Sequence, residues 1–116
     1  MLLPMPWIQD FSSGGEKIPP SMRESIIKRV DSYASSCSWY SSYKLQLRFK
    51  GQFCYVDSIE KDGTICPLGR LRYFEMEKWS LAFYAYSNER YEPCLMPRGE
   101  CGSLEEAIGI CEFYLV

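Results

Sequence analysis

Between residues 45 and 86 the chain alternates apolar and polar side chains with a period of two, and this region lies between two stretches of helical period. Leu45, Leu47 and Phe49 alternate with Gln46, Arg48 and Lys50. Leu71 and Tyr73 alternate with Arg70 and Arg72, and Trp79, Leu81, Phe83 and Ala85 with Ala82, Tyr84 and Tyr86. Successive side chains of a strand point to opposite faces, so runs of this kind make half-buried strands. A further run, Tyr91 to Met96, contains Pro93, which cannot donate to a ladder and marks an edge strand. Upstream, Met22, Ile26, Ile27, Val30, Tyr33, Ala34 and Cys37 fall within one arc of a helical wheel. Downstream, Leu104, Ala107, Ile108, Cys111 and Leu115 share a face, with Glu105 and Glu112 opposite. The order predicts an α+β fold: a helix, a four- to five-stranded antiparallel meander sheet and a C-terminal helix, with both helices on one sheet face.

Helix starts are read from capping boxes, in which a Ser and a Glu three residues on satisfy each other's backbone N–H groups. Ser21 with Glu24 opens the first helix, and the Ser-rich "SSCSWYSSY" ends it because hydroxyls compete for backbone hydrogen bonds. Ser103 with Glu106 opens the second, which is expected to run to the last residue. Residues 1–20 read as an N-terminal arm docking through Trp7, Ile8 and Phe11, and 21–116 as a single domain. The expected core is Ile26, Val30, Tyr33, Leu45, Leu47, Leu71, Trp79, Leu81, Phe83, Leu104, Ile108 and Cys111.

Parity then decides what each sheet face carries. A two-residue loop at Lys50-Gly51 pairs Phe49 with Gln52, Leu47 with Cys54 and Leu45 with Val56, which sets those aliphatic pairs toward the helices. A three-residue loop buries Phe53 and Tyr55 instead. For Leu71 and Tyr73 to share a face with Trp79, Leu81 and Phe83, the loop around Met76 must hold an odd number of residues. The face away from the helices then carries Arg48, Phe53, Tyr55, Arg70, Arg72, Tyr84 and Tyr86. Antiparallel sheets with one solvated face ordinarily turn small polar residues outward. Aromatics make up 16% of this chain, so some must serve as core or as contact surface.

The chemistry of the sequence narrows the function classes. "KGQFCYVD" departs from the RNA-recognition signature at Gln52, Phe53, Cys54, Tyr55 and Asp57, and the element order differs from that fold. A double-stranded-RNA-binding domain shares helix–strands–helix, but the second helix here begins Leu104-Glu105-Glu106, which repels phosphate. Aromatic and Arg planes do bind single strands without a motif. The chain has no His, the usual base for a Ser or Cys nucleophile, and no glycine-rich phosphate loop, so no enzymatic activity is expected. Asp57, Glu60 and Asp62 read as a solvated turn around "EKDG".

Six cysteines lack C-x-x-C spacing. A metal set of Cys54, Cys66, Cys94 and Cys101 is conceivable, but small buried hydrophobes account for them better, and neither metal nor cofactor is expected. The start "MLLPMPWIQDF" has no basic n-region and only a short, Pro-interrupted apolar run, so no signal peptide or membrane span is expected. Reduced thiols and a cytoplasmic location follow as expectations.

Residues 21–50 carry six basic and two acidic side chains, and 75–116 three basic and eight acidic. That asymmetry points to a local basic patch or to attraction between the segments. The run Leu71-Arg-Tyr-Phe, Trp79-Ser-Leu-Ala-Phe-Tyr-Ala-Tyr-Ser, Tyr91-Glu-Pro and "GSLEEA" resembles small bacterial proteins of unknown function over residues ~44–110. The resemblance implies a small domain and no activity. Tyr, Trp and Arg are the commonest interface anchors. The expected function is therefore a non-catalytic interaction module, self-associating or binding a protein partner through the Arg/Tyr face. Weak single-stranded nucleic-acid binding on that face is the alternative.

Overall fold

The computed structural model describes residues 14–37, 44–75, 78–87, 89–94 and 101–111. Helix α1 (Pro20–Ser35) is followed by β1 (Lys44–Lys50), β2 (Phe53–Ile59), β3 (Ile65–Phe74), β4 (Lys78–Ala85), β5 (Arg90–Cys94) and α2 (Leu104–Cys111). The strands form one antiparallel sheet in chain order, β1-β2-β3-β4-β5, as the alternation predicts. Trp7, Ile8, Phe11, the segment 38–43, Met76, Met96, Glu112 and Leu115 lie outside the described residues. Among those described, no helix is long and apolar enough to cross a membrane.

The first cap is a correction. Pro19 is the N-cap residue of α1 and no side chain caps it, so Ser21 and Glu24 make no capping box. Pro20 takes the first helical position, where its fixed φ suits a helix and its missing N–H costs nothing. Ser21 is thereby already inside the helix, and Glu24 pairs instead with Lys28 at 3.3 Å. The second box forms as read. Ser103 N–H donates to Glu106 Oε1 at 3.0 Å, and Glu106 N–H to Ser103 Oγ at 3.1 Å.

The first hairpin keeps the expected parity but slips by two. Its loop is Gly51-Gln52, and Lys50 pairs with Phe53, Phe49 with Cys54, Arg48 with Tyr55 and Leu47 with Val56. The turns that fit the twist of a two-residue hairpin need positive φ at the first loop residue. Gly51 supplies it at 58°, whereas Lys50 in that place would be strained. Three residues separate Phe74 from its partner Lys78, the odd number that parity requires. Pro93 sits on β5, which among the described residues pairs only with β4 and is an outer strand.

The core lies between the sheet and the helices. Cys54, Val56, Leu71, Tyr73, Trp79 and Leu81 rise from the strands to meet Ile26 and Val30 of α1 and Leu104, Ala107, Ile108 and Cys111 of α2. Ile18, ahead of α1, is fully buried there, and its N–H donates to Gly51 O at 2.9 Å. Tyr33, Leu45 and Leu47 are half-buried at its margin. Phe83, expected in this core, is only half-buried, and its β3 neighbour is Gly69, which has no side chain to pack on it. A methyl group at Gly69 would lie 3.1 Å from Ala82 O and 3.3 Å from Cys111 Sγ, so the missing side chain lets α2 sit close.

The helices are tied to each other by charge. Arg29 of α1 grips Glu105 of α2 with two bonds, Nη2 to Oε1 at 2.8 Å and Nε to Oε2 at 3.0 Å. Those bonds hold the Glu105 carboxyl below its ordinary range. A depressed carboxylate contributes stability above its unfolded pKa near ~4.3 and loses it as pH falls through the folded value. Both side chains are about a third exposed, so Arg29→Gln should cost only about 0.5–1 kcal/mol at neutral pH in urea denaturation. The difference between variant and parent should close as pH is lowered to about 3; a gap as large at that pH as at neutrality contradicts this role.

Candidate Arg/aromatic face

All seven residues expected on the open face are brought together there, and they lie against one another. The guanidinium of Arg72 sits 4.7 Å from the Phe53 ring centre, and that of Arg70 4.5 Å from the same ring. Arg70 also lies 5.3 Å from the Tyr91 ring, while Arg48 covers Tyr55 at 4.9 Å. The rings continue the chain of contacts. Phe53 meets Tyr55 at 6.0 Å, Tyr55 meets Tyr91 at 5.5 Å, and Tyr91 meets Tyr84 at 5.1 Å. Tyr84 meets Tyr86 edge-on at 4.9 Å, and Tyr86 donates its hydroxyl to Pro67 O at 2.9 Å. Each cation–ring contact at an exposed site contributes ~0.5–1 kcal/mol.

The arrangement follows from register. Phe53 pairs with Arg72 and Tyr55 with Arg70 across β2–β3, so rings and guanidinium groups alternate between neighbouring strands. Opposite the two arginines on β4 stand Ser80 and Ala82, both buried although they are on the outer face. Small residues there leave room for long side chains to lie flat. At one end Arg72 Nη1 donates to Gly14 O at 2.7 Å, which draws the chain ahead of α1 onto the rim of this face.

Two further members were not recognised from the sequence. Tyr91 pairs with Tyr84 across β4–β5 and bridges Tyr55 to Tyr84. Asp57 is the larger departure. Rather than a solvated turn residue, it lies within β2 and is only 1% exposed. Arg48 Nε donates to Asp57 Oδ2 at 2.7 Å and Nη2 to Oδ1 at 3.2 Å, and Gln46 approaches at 3.4 Å. The β2–β3 register shifts between Val56 and Asp57, leaving Leu68 as an extra residue on β3. Glu60 and Asp62 do form the turn: Gly63 N–H donates to Glu60 O and Thr64 N–H to Asp62 Oδ1, each at 2.9 Å. Hairpin arithmetic carries the missed signal. Lys44 lies as far before Lys50 as Ile59 lies after Phe53, so a seven-residue β1 needs a β2 that runs through Asp57.

Burial raises Tyr91 above the ordinary phenol value, helped by the negative charge of Asp57 and opposed by Arg48. Burial is also the main cause that pushes Tyr86 up to about 12, although 57% of that residue is accessible. On the core side, burial pushes the Cys54 thiol up to about 12 and so keeps it protonated at neutral pH. Among the described residues no three Cys, Asp or Glu side chains converge as metal ligands, and Cys37, Cys54, Cys66, Cys101 and Cys111 are free thiols.

A carboxylate this buried depends on its partner, because removing one member of a buried pair leaves an uncompensated charge. Arg48→Met should cost about 3 kcal/mol in urea denaturation, while Arg48→Met combined with Asp57→Leu should recover most of the loss. Additive losses in the double variant contradict the pairing. No family model, curated protein or solved structure matches this chain.

Proposed function

We propose that this chain is a non-catalytic interaction module that docks a protein surface, a second copy of itself first among candidates, on the Arg/aromatic face. The observation that carries this reading is the mutual stacking of Arg48, Arg70 and Arg72 on Phe53, Tyr55 and Tyr91. Arg and Tyr are the side chains that most often dominate binding energy at interfaces. Their usual handicap is the rotamer freedom lost on docking, and side chains already held against one another lose less. Tyr86, more than half exposed, offers an aromatic edge to a partner. The absence of His from the chain supports a non-catalytic role. The free thiols are in keeping with a reducing compartment such as the cytoplasm.

Single-stranded nucleic acid is the weaker reading on the same surface. A base has to find a ring or guanidinium plane, and here those planes are stacked on each other. The two readings differ in salt response. Phosphate contacts release counterions, so affinity for a single strand falls with a log–log slope near ~0.7 per neutralised phosphate. Aromatic anchors at a protein interface are desolvated apolar area and respond far less. Sedimentation across a salt series, with and without a labelled oligonucleotide, should reveal a dimer that persists through about 150 mM salt and no better than weak oligonucleotide binding. Arg70→Ala and Tyr84→Ala should each weaken that dimer. A monomer that binds the oligonucleotide tightly at that salt overturns the ranking.

A further inference from the structure

A second surface lies at the opposite margin of the sheet from β5, where Arg48 is the one residue it shares with the Arg/aromatic face. Between α1 and β1 runs an open groove of ≈ 500 Å³, walled by Ile27, Val30 and Ala34 from the helix and Leu45 and Leu47 from the strand. Lys28 and Lys44 stand along it, set against one acid, Asp31. No residue of β2 lines it, which places it at the outer margin of the sheet. Ile27 is 47% exposed on its rim.

Beside the groove is a sheet edge. β1 pairs with β2 on one side only, and among the described residues no strand pairs with its other side. Every second residue of such a strand directs its N–H and C=O outward, a template for another strand. The two edges of this sheet differ. β5 is five residues long and carries Pro93, which cannot donate, whereas β1 has seven residues and neither Pro nor Gly. The alternation of β1 specifies what an added strand must carry. On the groove side its residues are Leu45 and Leu47, and the alternate positions hold Lys44, Gln46, Arg48 and Lys50, of which Arg48 is already paired with Asp57 and Lys44 and Lys50 supply the cations.

The geometry points to β1 and its groove as a docking site for an extended acidic peptide of a partner protein, added as a sixth strand. Alternate side chains of a strand lie ~6.8 Å apart on one face, so two aliphatic side chains of the peptide enter the groove. The residues between them lie beside Lys44 and Lys50, where Asp or Glu is favoured and Lys or Arg repelled. The same charges disfavour a second copy as the occupant. Two β1 strands paired antiparallel bring Lys44 of one toward Lys50 of the other, the like-charge device by which sheet edges resist self-pairing. Main-chain bonds hold such a strand and the alternate side chains select it.

The test is selection of a displayed library of random dodecapeptides on the full chain, followed by titration of the enriched peptides. They should alternate Asp or Glu with Val, Ile or Leu. Their affinity should fall by roughly tenfold or more, equivalent to ~1.4 kcal/mol, in Ile27→Glu and in Lys44→Glu, and hold in Arg70→Ala. Alternate amides of β1 should exchange more slowly with deuterium in the complex. Ile27 is about half exposed and Lys44 is exposed, and both variants should keep the parent's thermal melt. If no sequence is enriched, the proposal is overturned. It is equally overturned if the enriched peptides ignore both groove variants, lose affinity in Arg70→Ala, or leave β1 exchange unchanged.

Discussion

A five-stranded sheet with both helices on one side has a second face that nothing in the element order covers. The mutual stacking of arginines and aromatic rings on that face is the solution this chain adopts. Arg70 and Arg72 lie over Phe53, and Arg70 also over Tyr91, so cations that would ordinarily extend into solvent fold down across the strands. Beneath this layer Ser80 and Ala82 are as buried as residues of the true core. Long amphipathic side chains do this well, because their stems cover apolar surface while their heads remain hydrated. The second face is therefore a self-assembled layer one side chain thick, and the same residues equip it for docking.

Asp57 shows how far that layer excludes water. A lone ionised carboxylate at this depth would be costly, and the Arg48 guanidinium, itself half exposed, compensates it with two bonds. The position depends on the irregularity in β3. With Leu68 as the extra residue, Asp57 stands opposite Pro67, and the Pro67 carbonyl is free to accept from Tyr86. One local shift of register thus connects the charge pair to the tyrosine cluster. Loss of Arg48 therefore leaves the Asp57 carboxylate uncompensated, whereas loss of Arg70 leaves it paired.

The parts of this fold legible in the sequence were those that rest on parity and on local chemistry. Alternation placed Arg48, Arg70, Arg72, Tyr84 and Tyr86 on one side and the parity of the first hairpin added Phe53 and Tyr55, and the assignment survives a slip in that hairpin because a shift of two leaves every side chain on its own face. Pro93 on an outer strand and the Ser103–Glu106 box each follow from a single residue's bonding capacity. The misreadings came where two rules competed. At the first helix a Ser-x-x-Glu signal lost to the prolines ahead of it. In the hairpin, matching Leu with Cys and Val suggested Lys50-Gly51, and the positive φ demanded of the first loop residue chose Gly51-Gln52. Asp57 was misassigned because a bulge has no fixed signature and acids near Gly usually mark turns. That rings and guanidinium groups pack on each other depends on tertiary spacing, which alternation does not encode.

The central claim is that the arginines of the open face lie flat on its rings, and proton chemical shifts of the arginine side chains test it most directly. Stacking over Phe53 places the δ-methylenes of Arg70 and Arg72 in the shielding cone of the ring. The account predicts upfield shifts for both in the native protein, with Arg72 returning toward unstructured values in Phe53→Leu, Arg70 returning in part because Tyr91 remains beside it, and Arg48 keeping its own. Arginine shifts at unstructured values in the native protein, unchanged by Phe53→Leu, would contradict it.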